Sequence, residues 1–85
     1  MLDIKEKRPE VLAAARMFLV KLSPNELASH LRKLKNKDDI TGQAVTHISE
    51  VAGLGVGGRD NWINLIIEEG DKRGVDLEAI VDDQS

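Results

Sequence analysis

The stretch Arg59-Asp60-Asn61-Trp62-Ile63-Asn64-Leu65-Ile66-Ile67-Glu68-Glu69-Gly70 restricts the fold more than any other part of the chain. It carries the only tryptophan and the densest run of large aliphatic residues. Trp62, Leu65, Ile66 and Glu69 follow the i, i+3, i+4, i+7 spacing of one helical face. Ile63, Ile66, Ile67 and Gly70 trace a second face beside it. A helix apolar over so wide an arc is central and takes neighbours on two sides. The expectation is a bundle packed around this helix, with Asp60 or Asn61 as its N-cap and Gly70 or Gly74 at its end.

The remaining segments carry helical signals of their own. Pro9 suits a first helical turn, and Val11, Leu12, Ala15, Phe18, Leu19 and Leu22 then form a stripe that Met17 and Val20 widen. Residues 1–8 read as a frayed lead-in, or as a backward extension through Ile4 and Arg8. Ser23-Pro24-Asn25-Glu26 has the form of a capping box with proline at N1, opening a helix with Leu27, Ala28, Leu31 and Leu34 inward. After a polar turn, Asp38, Asp39 or Thr41 is placed to cap a third helix, along which Ile40, Ala44, Val45, Ile48, Val51 and Ala52 recur. Gly53-Leu54-Gly55-Val56-Gly57-Gly58 is a joint before the central helix. Asp76 is the expected cap of a short last helix with Val75, Leu77, Ile80 and Val81, and residues 82–85 read as a frayed tail. The expected architecture is all-α, a compact bundle of five to six short helices forming one domain over residues 1–85. Its expected core contains Leu12, Phe18, Leu27, Leu31, Ile48, Trp62, Leu65, Ile66, Leu77 and Ile80.

Composition supports this class. Aromatic residues make up only 2% of the chain, so the core must be aliphatic. A domain this small has a stability of only ~3–5 kcal/mol. There is no cysteine, which removes disulfides, thiolate ligands and a thiol nucleophile. The opening residues lack the plan of a signal peptide, and no apolar run approaches a membrane span. A cytoplasmic protein without membrane contact is expected.

Charge is divided along the chain. Residues 1–37 carry nine Lys/Arg and four Asp/Glu, whereas residues 60–85 carry two Lys/Arg and eight Asp/Glu. Such a split is either uneven solvation or a pair of complementary patches.

Motifs for chemistry are sparse. Gly53, Gly55 and Gly58 satisfy G-x-G-x-x-G, but a dinucleotide site needs a strand before them and a βαβ unit after, and the flanks read as helix. A loop requiring positive φ explains the glycines. Glu26 with His30, and His47 with Glu50, have ligand-like helical spacing, yet two such pairs make a thin metal set. No nucleophile signature is present, and no enzyme activity, metal or cofactor is expected. Residues 26–47 can be scanned as a helix-turn-helix. Gln43, Thr46 and His47 would face bases, but no cation on the reading helix would grip phosphate.

The order of signals resembles the death-fold superfamily of helical interaction domains, including caspase-recruitment domains and bacterial death-like or effector-associated domains. The resemblance is carried by Arg59-Asp60-Asn61-Trp62-Ile63-Asn64-Leu65-Ile66-Ile67, then Lys72-Arg73-Gly74, then Leu77 and Ile80. That fold has six helices, one more than the five counted here. The resemblance implies a non-enzymatic adaptor that assembles with itself or with a similar helical domain, in signalling or defence. It implies a basic face of Arg16, Arg32, Lys33 and Lys35 meeting an acidic face of Glu68, Glu69, Asp71 and Asp76. A nucleic-acid-binding regulator using residues 26–47 is the alternative. A small bundle with a structural role, or an inhibitor of another protein, is a third.

Overall fold

The structure is a computed structural model and describes residues 9–84. The readings of residues 1–8 and of Ser85 lie outside the described residues. Five helices occupy the rest: α1 (Pro9–Val20), α2 (Pro24–Leu34), α3 (Gln43–Ala52), α4 (Arg59–Arg73) and α5 (Leu77–Gln84). No strand occurs among the described residues. None of these helices is long and apolar enough to cross a membrane.

Local chemistry sets most of the helix ends. Ser23 Oγ accepts the amide of Glu26 at 3.1 Å, and Glu26 Oε1 accepts the amide of Ser23 at 2.9 Å, completing the capping box with Pro24 at N1. Asp39 heads α3 from a distance: its two carboxylate oxygens accept the amides of Gln43 at 3.0 Å and Ala44 at 3.1 Å. Asp76 accepts the amide of Ala79 at 3.2 Å and so caps α5. Helix α4 closes at Gly74, whose φ of 69° is the left-handed conformation that glycine enters without a Cβ penalty. The Val75 amide returns to the Gly70 carbonyl at 2.9 Å, as in a Schellman motif.

Several expectations are corrected. Helix α4 begins at Arg59, and its N-cap is Gly58 rather than Asp60 or Asn61. Gly58 has φ 125° and ψ −172°, a region essentially confined to glycine. Asn61 instead lies inside the helix and donates to the Val56 carbonyl. Gly70 does not end α4; it is buried there, and a Cβ on it would stand 2.7 Å from Leu77 Cδ1. Residues 82–84 are helical rather than a frayed tail. Ile40 lies in the turn before α3, 90% exposed, and Val51, Met17 and Val20 are also more than half exposed.

The core is continuous. Ala15, Leu19, Leu27, Ala28, Leu31, Leu34, Ile48, Val56, Trp62, Leu65, Ile66 and Leu77 are buried. Leu12, Phe18 and Ile80, expected inside, are only half buried and pack on its edge. They flank Ala15, Leu19 and Leu77, which take the deeper positions on the same helices. Val56 supplies the anchor that the glycine-rich loop was not expected to have. Trp62 is fully buried; its ring meets Phe18 edge-on at 6.4 Å between centroids, and its Nε1 donates to Ser49 Oγ at 3.2 Å. Helix α4 is not the sole hub. Helix α2 packs on α3, α4 and α5, and α4 packs on α1 and α2. With Leu27, Ala28, Leu31 and Leu34 all buried, α2 is as central as α4.

Candidate interaction surface

The exposed side of α2 follows from its buried side. Because Leu27, Ala28, Leu31 and Leu34 turn inward, Arg32 and Lys33 turn out. Both are exposed and have no ion-pair partner among the described residues. Lys37 stands exposed just beyond them in the turn. Lys35, also exposed, lies 3.7 Å from Glu78 on α5. Arg16 does not join this group as a free cation. Its Nε donates to Glu68 at 3.3 Å, so one residue of the expected basic face neutralises one of the expected acidic face within the chain.

The acidic side is reduced in the same way. Glu69 is only 6% exposed and is unsuited to docking, because its carboxylate accepts Arg73 Nε at 2.8 Å. Arg73 also donates to the carbonyls of Leu22 at 2.7 Å and of Leu19 and Val20 at 3.0 Å. It thereby donates to the last two carbonyls of α1, which have no partners within the helix, and to the Leu22 carbonyl just beyond it. Asp71 and Asp76 remain exposed. With Glu78 they border a surface cleft of about 310 Å³ between α4 and α5, whose apolar lining includes Ile67, Val75 and Leu77.

Three features were not expected from the sequence. Arg59 clamps the turn between α2 and α3: it donates to the carbonyls of Leu34 at 3.1 Å, Asn36 at 3.4 Å and Asp39 at 2.8 Å, and to the Asp39 carboxylate at 3.1 Å. A lone arginine at a helix start carries no signal for such a reach. The Glu69–Arg73 pair did have a signal, its i, i+4 spacing, but spacing says nothing of burial. Third, His30 of α2 and His47 of α3 come together, their rings 5.8 Å apart at a 31° tilt. The two histidine–glutamate pairs are therefore neighbours. No group of three or more metal-ligating side chains is assembled among the described residues.

Burial holds the His30 imidazole below its ordinary value, and the positive charges of His47 and Lys33 act in the same sense, with Glu26 opposing. A depressed imidazole binds fewer protons folded than unfolded. Its contribution to stability is complete above the unfolded value of about 6.5 and is lost as pH falls below that, through the folded value. Denaturation midpoints should therefore decline on acidification from neutrality, and His30→Gln should flatten that decline. An unchanged slope in the variant would contradict it. The Glu26 carboxylate is lowered by its hydrogen bonds with Ser23, so its loss comes further down, as pH falls through the carboxylate range.

Comparison with protein-family models, with curated proteins and with solved structures finds no match to this chain.

Proposed function

We propose that this chain is a non-enzymatic, death-fold-like adaptor domain that assembles with other copies, or with similar helical domains, through opposite charges. The observation that carries this reading is the exposed Arg32 and Lys33 on the outer side of α2, unpaired among the described residues, set against exposed Asp71 and Asp76 beside the α4–α5 turn. The Lys72-Arg73-Gly74 stop followed by a short amphipathic helix supports the family resemblance. The described residues hold five helices where that fold has six. Two different patches in contact form a heterologous interface, which closes into rings or runs on as filaments. Complementary charge sets orientation and encounter rate more than affinity.

Reversing both cations, Arg32→Glu with Lys33→Glu, is expected to abolish self-association while leaving helicity intact. Size-exclusion with light scattering over a concentration series reads this directly. A variant that elutes like the parent at every concentration removes the basis of the proposal. A second reading rests on the polar cleft lined by Lys33, Asn36, Gln43 and His47 together with Asp38 and Asp39, which joins the basic edge of α2 to exposed residues of α3. It makes the chain a nucleic-acid-binding regulator. DNA retardation that falls steeply with added salt, without self-association, selects it over the adaptor.

A further inference from the structure

Among the described residues several large apolar side chains are exposed, of which one knob stands out furthest, and a cleft with apolar lining carries an acidic rim. The knob is Ile40, 90% exposed. Single exposed aliphatic residues are ordinary. This one differs in how it is held. Its neighbour Asp39 is gripped by Arg59 through both carbonyl and carboxylate, and the same carboxylate caps α3. The Asn36 side chain closes the turn further by accepting the Asp38 amide at 3.0 Å. Ile40 is thus offered on a backbone that has already lost its freedom, which lowers the ordering cost of burying it in a partner. Lys33 and Lys37 precede it along the chain, exposed and without ion partners among the described residues, and outnumber the exposed Asp38 between them and the knob.

The cleft between α4 and α5 is the counterpart. Ile67, Val75 and Leu77 give it an apolar lining, and Asp71, Asp76 and Glu78 give it an acidic rim. Knob and cleft lie toward opposite ends of α4. Arg59, the first residue of that helix, holds the knob's turn, and Gly74, just past the last residue, lines the cleft. At ~1.5 Å per residue the helix separates them by roughly 20 Å along its axis. A chain therefore cannot fill its own cleft, and a second copy docked there leaves its own cleft open.

We propose that Ile40 of one copy seats in the α4–α5 cleft of the next, with Lys33 and Lys37 facing Asp71 and Asp76, giving head-to-tail assembly. The inference rests on the self-association reading above and assigns its contact. Repetition of one heterologous contact yields an open chain or a closed ring, not a two-fold dimer.

Ile40→Asp removes the knob, and Asp71→Lys opposes the rim. Both side chains are exposed, and neither makes a hydrogen bond among the described residues, so circular dichroism should show both variants with parental helicity. Sedimentation velocity across a concentration range up to millimolar should show the parent growing beyond a dimer. Each variant alone should associate about tenfold more weakly or worse, as expected for loss of a buried aliphatic contact or of charge complementarity. Mixing the two is the decisive arm. The Asp71→Lys chain still has its knob and the Ile40→Asp chain still has its cleft, so the mixture should form a heterodimer that grows no further. Either variant associating like the parent, a mixture that stays monomeric, or a parent that stops at a dimer overturns the contact. If Arg32→Glu with Lys33→Glu blocks assembly but Ile40→Asp does not, the charge reading stands and the knob fails. A parent monomeric at every concentration, leaving the cleft to an unrelated protein, overturns both.

Discussion

Trp62→Ala is expected to leave the chain largely unfolded at room temperature. The indole is fully buried where α4 meets the α1 and α3 sides of the core. Truncating a buried Trp costs ~3–5 kcal/mol, because the lost transfer energy is compounded by a cavity that neighbours fill only in part. The Phe18 ring loses its edge-on partner, and Ser49 Oγ loses its donor. Against a total stability of ~3–5 kcal/mol for a domain of this size, that loss is decisive. Trp62→Phe retains a ring and gives up the N–H, so it should fold with a lower melting midpoint. Far-UV circular dichroism at 25 °C distinguishes the two. An alanine variant with parental helicity and a cooperative melt would show that the core closes around the missing ring.

Arg73→Ala should cost ~3 kcal/mol, in the range for breaking a buried ion pair from one side. The Glu69 side chain, 7% exposed, would keep its charge and lose its only hydrogen-bond donor among the described residues. The carbonyls of Val20 and Leu22 would lose the arginine as donor, and that of Leu19 would keep only the Leu22 amide. Glu69→Gln should cost less, because the amide oxygen still accepts from Arg73 and the arginine still reaches the three carbonyls. Arg73→Lys should fall nearer to alanine, since an ammonium lacks the planar fork that spans four acceptors. Urea midpoints for the three variants order them. If Arg73→Ala lies within ~0.5 kcal/mol of the parent, as expected of surface changes, the clamp between α1 and α4 is not a stabilising feature. By contrast Arg16–Glu68, with side chains 37% and 30% exposed, belongs among pairs worth ~0–1 kcal/mol.

These magnitudes bear on the docking surface. Arg59, Arg73, Asp39 and Glu69 stabilise the fold across elements, and each is committed within the chain. Arg32, Lys33, Lys37 and Asp71 have no ion pair among the described residues, so changing them probes assembly with little cost to folding. The separation matters because a small core tolerates little loss.

The linear chain by itself determined what depends on neighbours three or four residues away. Ser23 and Glu26 close a capping box, Asp76 caps α5, and the stripes through Leu27, Leu31, Leu65 and Ile66 turn inward. Each outcome needs only helical geometry and a local donor–acceptor match. Tertiary structure alone decided the rest. Arg59 reaches carbonyls 20 to 25 residues away, Arg73 reaches them 51 to 54 residues away, and Arg16 meets Glu68 across 52. It also decided that Glu69 is buried while Asp71 is exposed, that His30 meets His47, and that Val56 goes in while Ile40 stays out. Those outcomes depend on which helix ends approach one another. Bare carbonyls at one helix's end select whichever long cation the packing brings near, and residue spacing along a single helix does not encode that meeting.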